Sequence, residues 1–162
     1  MAPQQKPGRS KQDYQTPDKF LIAAVRFLDI GGFKSDLAAT CDNTVAGFWF
    51  TEEEDSLKQD WSRLPPGWAW LNPPYAHIEP WVKKAYLSGA NIAVLIPASV
   101  GANWWRDWVH QKAMVLFLNG RLSFIPDKPK WLYPKDLALL LYGKDIQLGY
   151  AVWNWREGKN VV

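Results

Sequence analysis

The sequence is poor in the residues that build disulfide frameworks and metal centres. Its 162 residues include one cysteine, Cys41, and two histidines, His77 and His110. One thiol cannot form an internal disulfide, and this pattern lacks the spacing of a metal-ligand cluster. We therefore expect no metal cofactor, and a reducing compartment such as the cytoplasm.

Long apolar runs and glycine-rich cofactor patterns are missing as well. No stretch approaches the roughly 20 apolar residues of a membrane span, and no signal peptide is evident, so we expect no membrane partner. The Gly-x-Gly-x-x-Gly pattern of dinucleotide sites is absent. The net charge of +3 is compatible with a nucleic-acid partner but does not require one.

Tryptophan, in contrast, is abundant. The chain has 11 Trp, whereas its 48% apolar and 22% charged content are ordinary for a globular protein. Eleven indole rings are hard to bury in one small domain, so we expect several to line a ligand surface. The length fits a single domain, assigned to residues 13–162. Residues 1–12 contain three cations and no acid, which predicts a flexible basic arm.

Hydrophobic periodicity predicts an α/β fold. Apolar residues at helical spacing between 20 and 28 indicate a helix, with Thr16 as its cap, Pro17 as its first residue and Gly31-Gly32 at its end. Further helices are predicted at 78–88 and 103–111, and strands at 33–38, 47–50, 68–71, 92–96, 115–118, 137–142 and 150–153. Alternating elements followed by successive strands favour a mostly parallel sheet with an antiparallel C-terminal edge.

One segment has chemistry that packing alone does not require. Residues 72–75 read Asn-Pro-Pro-Tyr and follow the predicted strand at 68–71. Pro73 forces Asn72 into an extended conformation, and Pro74 fixes the next φ angle. The resulting stiff turn presents an amide, unpaired carbonyls and the Tyr75 ring. These groups suit a flat ring that carries an exocyclic amine, although a rigid turn with Tyr75 in the core is the alternative.

An ordered set of segments accompanies this turn. Before it lie Thr16-Pro17, Asp-Leu-Ala-Ala-Thr at 36–40, Asp-Ser-Leu at 55–57 and Asp-Trp at 60–61; after it lie residues 81–85, 95–98, 104–105, 119–124 and 133–136. Over residues 13–143 this set resembles the small phage and prophage DNA N-6-adenine methyltransferase (Dam) family. The resemblance implies a Rossmann-like methyltransferase sheet, S-adenosylmethionine as cofactor, site-specific methylation of adenine in DNA, and a role in protecting phage DNA from host restriction.

The chemistry of the turn agrees with that resemblance. The lone pair of the adenine N6 amine is delocalised into the ring, so the amine is a poor nucleophile. The Asn72 side-chain oxygen and the Pro73 carbonyl can each accept one N6 hydrogen and so free the lone pair. Asn72 then orients and stabilises rather than acting as a base. Tyr75 is predicted to stack on a base that has left the duplex.

The resemblance also implies the cofactor and DNA contacts. Thr16, Pro17, Asp36, Ala38, Asp55 and Asn72 are the expected cofactor-binding residues. A helix cap at Thr16, a strand-end turn at Asp36 and a surface acid at Asp55 remain alternatives. Because the chain leaves no room for a separate target-recognition domain, DNA contacts are expected from Trp104, Trp105, Arg106, Arg121, Lys128, Lys130 and Lys135. For the two tryptophans packing is the alternative, and Arg121 can instead hold the active-site loop.

Two other functions stay open at this point. The missing glycine-rich motif is compatible with a nucleic-acid-binding protein that keeps the fold and has lost catalysis. Methylation of cytosine N4 or of a protein glutamine uses a similar turn. Asn72 argues against the cytosine enzymes, which usually carry serine at that position, and the other segments do not resemble glutamine methyltransferases.

Overall fold

The structure is a computed structural model, and it describes residues 15–158. The predicted arm at 1–12 lies outside the described residues. The helices are α1 (Asp18–Leu28), α2 (Glu79–Ser88) and α3 (Asn103–Trp108). The strands are β1 (Ser35–Asp36), β2 (Phe48–Trp49), β3 (Ala69–Leu71), β4 (Ile92–Pro97), β5 (Met114–Asn119), β6 (Leu137–Tyr142) and β7 (Gly149–Asn154).

All seven strands form one sheet in the order β2-β1-β3-β4-β6-β5-β7. The pairs β1–β2, β1–β3, β3–β4 and β5–β7 are parallel, whereas β6 runs antiparallel to both β4 and β5. The predicted mostly parallel, Rossmann-like sheet, with its antiparallel pairing in the C-terminal part of the chain, is confirmed. The antiparallel strand β6 lies between two neighbours, and β7 continues the sheet beyond β5.

The central strands are buried on both faces because helices cover each side. Residues of β4 alternate between two core clusters: Val94 and Ile96 pack with α2 and α3, whereas Ala93 and Leu95 pack with α1. This explains why the predicted strand at 92–96 is a continuous apolar run. The sheet is therefore the middle layer of a three-layer domain.

The predictions for the start and for the end of α1 are both wrong. Thr16 does not cap the helix: Pro17 occupies the cap position without a side-chain hydrogen bond, and its carbonyl accepts from the amides of Phe20 and Leu21. The helix ends at Leu28 rather than at the glycine pair, because Asp29 takes the left-handed conformation with φ of 54°. Asp tolerates that conformation better than most residues.

Candidate active site

The Asn-Pro-Pro-Tyr segment lies at the point where the chain changes direction across the sheet. From β1 the chain crosses to β2 on one side, and from β3 it crosses to β4 on the other. Such a switch point opens a crevice beyond the carboxyl ends of the strands. Asp36 ends β1 and Asn72 directly follows β3. The topology therefore brings two predicted site residues, 36 positions apart in sequence, to one crevice.

The Asn72 side chain is held at both ends by hydroxyl groups. Its Nδ2 donates to Thr16 Oγ1 at 3.1 Å, and its Oδ1 accepts from the Tyr75 hydroxyl at 2.9 Å. Pro73 is buried and Pro74 is exposed. No hydrogen bond within residues 15–158 uses the Pro73 carbonyl. The amide is fixed in orientation, and one carbonyl beside it keeps its acceptor capacity.

Tyr75 is anchored by its hydroxyl and surrounded by rings. The same hydroxyl that reaches Asn72 lies 3.2 Å from the Leu95 carbonyl of β4. Its ring makes edge contacts with Phe124 at 6.3 Å and Tyr133 at 5.8 Å. Burial, with a smaller contribution from Tyr133, raises the pKa of Tyr75 well above its ordinary value, so the hydroxyl stays protonated. Stacking of this ring on a base remains a prediction.

Sequence reasoning gave no role to Leu95, Phe124 or Tyr133. Phe124 and Tyr133 belong to the connection between β5 and β6, which lies at the carboxyl edge because β6 runs back from it. The amide of Gln15 donates to the Phe124 carbonyl at 2.8 Å and ties this loop to the start of the described chain. No local sequence pattern signals this placement, because it follows from the antiparallel insertion of β6 between β4 and β5.

Asp36 is a buried carboxylate with two backbone partners. It is 3% exposed, and its oxygens accept from the amides of Val45 at 3.0 Å and Ala38 at 3.3 Å. Burial raises its pKa from 3.8 to about 6, and these two hydrogen bonds only partly offset the effect. Within residues 15–158 no Lys or Arg pairs with it. The carboxylate orders the loop after β1 and lacks a cationic partner there.

A cavity of about 1280 Å³ joins these groups. Its wall includes five of the six residues predicted to bind the cofactor: Thr16, Asp36, Ala38, Asp55 and Asn72. Pro17 is not part of the wall.

The polar residues of the wall differ in their partners. Asp55 forms an ion pair with Lys58 at 3.0 Å and is half-exposed. The walls also contain the hydroxyls of Thr40 and Ser56, which have no hydrogen-bond partner within the described residues.

The predicted DNA-contacting residues separate into four groups. Trp104 and Lys135 line the cavity. Lys128 and Lys130 are exposed on the loop between β5 and β6. Arg121 pairs with Asp136 at 3.5 Å, which links the two ends of that loop.

The other two predicted contacts are in the α3 helix. Arg106 is exposed and forms an ion pair with the adjacent Asp107 at 2.6 Å. Trp105 is 2% exposed and stacks on Phe117, with its Nε1 donating to the Tyr150 hydroxyl. A core position on α3 accounts for this ring, which favours the packing alternative for Trp105 over a DNA contact.

Within the described residues, no group of three or more His, Cys, Asp or Glu side chains is arranged to hold a metal ion. No helix in this part of the chain is long and apolar enough to cross a membrane.

The chain is similar in sequence and in structure to proteins described as methyltransferases. A DNA N-6-adenine-methyltransferase of Escherichia phage T1 is 28% identical over 96 residues, which is 57% of this chain and 40% of that protein. The chain thus matches less than half the length of this curated relative. A protein of Agrobacterium tumefaciens, described as a predicted O-methyltransferase, matches with a TM-score of 0.42 and 15% identity over 84% of this chain and 86% of its own.

The family comparison covers most of the chain. The model of the DNA N-6-adenine-methyltransferase (Dam) family matches residues 4–134, which include the Asn-Pro-Pro-Tyr segment, Asp36 and Asp55. The resemblance read from the ordered segments is thereby confirmed, and the chain belongs to the DNA N-6-adenine-methyltransferase (Dam) family.

Proposed function

We propose that this chain transfers a methyl group from S-adenosylmethionine to the N6 amine of adenine in DNA. The observation that carries the proposal is that Asn72, with its side-chain oxygen held as an acceptor, and Pro73, whose carbonyl accepts no hydrogen bond within residues 15–158, both line the switch-point cavity. Family membership and the phage relative support the same activity. A phage origin and protection of phage DNA from restriction, in the cytoplasm of a host cell, belong to this proposal.

The cavity suits S-adenosylmethionine in size and in charge. Ligand pockets commonly measure ~300–1000 Å³, so a cavity of about 1280 Å³ has room for a cofactor and a nucleobase together. Asp36 is a buried carboxylate without a cationic partner in residues 15–158, and a positively charged ligand would compensate it. Ala38 and Asp55 would complete the cofactor wall, whereas the hydroxyl of Thr16 is engaged by Asn72. When bound, the cofactor supplies a methyl group on a positively charged sulfur.

The chain's own residues would then orient and activate the amine. Asn72 Oδ1 and the Pro73 carbonyl accept one N6 hydrogen each, which turns the nitrogen lone pair out of conjugation with the ring. The lone pair would then be free to take the methyl group that the cofactor would supply, with the carbon–sulfur electrons staying on sulfur, and the extra proton on N6 would leave to solvent. Neither acceptor takes that proton, because both are neutral; they act by placement and electrostatics.

DNA contacts in this proposal come from residues around the cavity mouth. Lys135 and Trp104 line it, and Lys128 and Lys130 lie on the adjoining loop. A lysine there can neutralise a phosphate, and an aromatic ring can hold an unstacked base. Arg106 is a candidate outside the cavity wall, whereas Arg121 pairs with Asp136 across the ends of that loop.

The test is methyl transfer with identification of the product. The protein is incubated with radiolabelled S-adenosylmethionine and unmethylated duplex DNA, the DNA is digested to nucleosides, and the labelled nucleoside is identified. We expect label in N6-methyladenine, and its loss in Asn72→Ala. The control is Asn91→Ala, which removes an exposed asparagine at the opposite edge of the sheet, just before β4.

Each other outcome points to a different function. Label in N4-methylcytosine or in protein would identify another amine as the substrate. No transfer, together with no binding of S-adenosylmethionine by calorimetry and retained binding of DNA, would favour a catalytically inactive nucleic-acid-binding protein.

A further inference from the structure

The two ends of the Asn72 amide are chemically opposite. The oxygen accepts hydrogen bonds, the nitrogen only donates them, and only the oxygen can take a hydrogen from a substrate amine. The final torsion of an asparagine is broad and roughly two-fold, so half a turn exchanges the ends at little intrinsic cost. Groups that contact the amide must therefore decide which end meets the substrate.

We propose that Thr16 is the positioning residue that sets the orientation of the Asn72 amide. Thr16 Oγ1 accepts from Asn72 Nδ2 at 3.1 Å across 56 positions of sequence. A threonine hydroxyl can also donate, so the Tyr75 hydroxyl, which donates to Asn72 Oδ1 at 2.9 Å, marks that end as the oxygen and leaves the nitrogen for Thr16. The inference rests on the proposed function, because it assigns Thr16 to the activation of the amine rather than to cofactor binding.

The segment that carries Thr16 is fixed on both sides. The Gln15 amide donates to the Phe124 carbonyl at 2.8 Å, and the Pro17 carbonyl accepts from the first turn of α1. Thr16 has no capping role that would account for its position, since Pro17 is the cap residue. Its hydroxyl is thus held at a defined distance from Asn72 by contacts that do not involve Asn72.

Tyr75 secures the opposite end of the amide and can release it. Its single hydroxyl proton has two acceptors, Asn72 Oδ1 at 2.9 Å and the Leu95 carbonyl at 3.2 Å. When a substrate amine donates to Asn72 Oδ1, rotation of the hydroxyl transfers the Tyr75 hydrogen bond to Leu95. The phenol remains satisfied, and the amide oxygen becomes a stronger acceptor for the amine.

The experiment compares Thr16→Val, which removes the hydroxyl at nearly constant shape, with Thr16→Ser, which restores it. Steady-state methylation of DNA gives kcat and KM, and calorimetry gives the Kd of S-adenosylmethionine. We expect Thr16→Val to lower kcat roughly three- to tenfold, the effect of one ordinary hydrogen bond, with both KM and Kd unchanged. Thr16→Ser should recover most of the loss. If Thr16→Val does not fold, Thr16→Ala takes its place against the same serine variant.

A double-mutant cycle measures whether the effects of two substitutions on kcat are coupled, and a purely structural role of Thr16 predicts no such coupling. Thr16→Val and Tyr75→Phe act on one amide, so their effects on kcat should be coupled. The control is Tyr142→Phe, which also removes a buried tyrosine hydroxyl, bonded to the Trp108 carbonyl at 2.7 Å, but outside the cavity wall. Its effect should be small on kcat and additive with that of Thr16→Val.

Three results would overturn the inference. An unchanged kcat in Thr16→Val removes the positioning role. A weaker Kd with unchanged kcat makes Thr16 a cofactor ligand. A loss in Thr16→Val that serine does not rescue indicates shape rather than the hydroxyl. Failure of the proposed function is distinguishable, because the wild-type protein itself would then transfer no methyl group to DNA, and the inference would fall with it.

Discussion

Asp36 makes the stability of this protein depend on pH in a direction opposite to that of most carboxylates. Its pKa is about 6 in the folded protein against 3.8 ordinarily, so the folded state binds more protons than the unfolded chain between these values. The stabilising contribution is fully present below pH 3.8 and is lost as the pH rises through 6. Asp36→Asn keeps the position neutral at every pH and should remove this loss.

The expected size follows from the two pKa values. A difference of about two pKa units corresponds to ~3 kcal/mol in full, of which ~2 kcal/mol falls between pH 4.5 and 7.5. Asparagine can replace only one of the two acceptors that face Val45 and Ala38, which costs ~1–3 kcal/mol at all pH values. The quantity to compare is therefore the change with pH, not the stability at one pH.

The assay is urea unfolding followed by tryptophan fluorescence at several pH values from 4.5 to 7.5. Relative to the wild type, Asp36→Asn should gain ~2 kcal/mol across this range. The control is Asp60→Asn: hydrogen bonds from Ser62 lower the pKa of the exposed Asp60, so its stabilisation is lost only at lower pH and its difference from wild type should stay constant. Parallel profiles for wild type and Asp36→Asn would refute the assignment of a raised pKa to Asp36.

Three further predictions address the cofactor, the core and DNA. If S-adenosylmethionine binds with its positive charge at Asp36, its affinity should rise roughly tenfold or more from pH 4.5 to 7.5, because Asp36 ionises over this range. In Asp36→Asn the affinity measured by calorimetry should not change with pH. Trp105→Ala should lower the free energy of unfolding by ~3–5 kcal/mol, whereas Arg106→Ala should change it by less than ~0.5 kcal/mol in the same urea assay. Lys135→Ala should weaken DNA binding and reduce the slope of log K against log salt by about one in fluorescence anisotropy titrations, whereas an unchanged slope would remove Lys135 from the interface.

Much of the fold could be predicted because its signals are local. The apolar run of β4, the amphipathic α2 and its stop at Gly89 depend on neighbouring residues, and the structure has them near the predicted bounds. The ends of α1 were less predictable, because a cap depends on where a side chain finds its partner. Thr16 had a partner 56 positions away that no local pattern reveals.

The candidate site also has features that the sequence determines and features that depend on tertiary contacts. The sequence by itself determined the chemical groups, since two prolines stiffen the segment that carries Asn72 wherever it lies, and the ordered segments identified the family. Only the tertiary structure decided what surrounds that amide. Parallel pairing brought Asp36 and Asn72 to one cavity, the loop before the antiparallel β6 brought Tyr133 into contact with Tyr75, and packing of α3 buried Trp105. The sequence specifies which side chains are present, but their hydrogen-bond partners and burial depend on segments that only folding brings together.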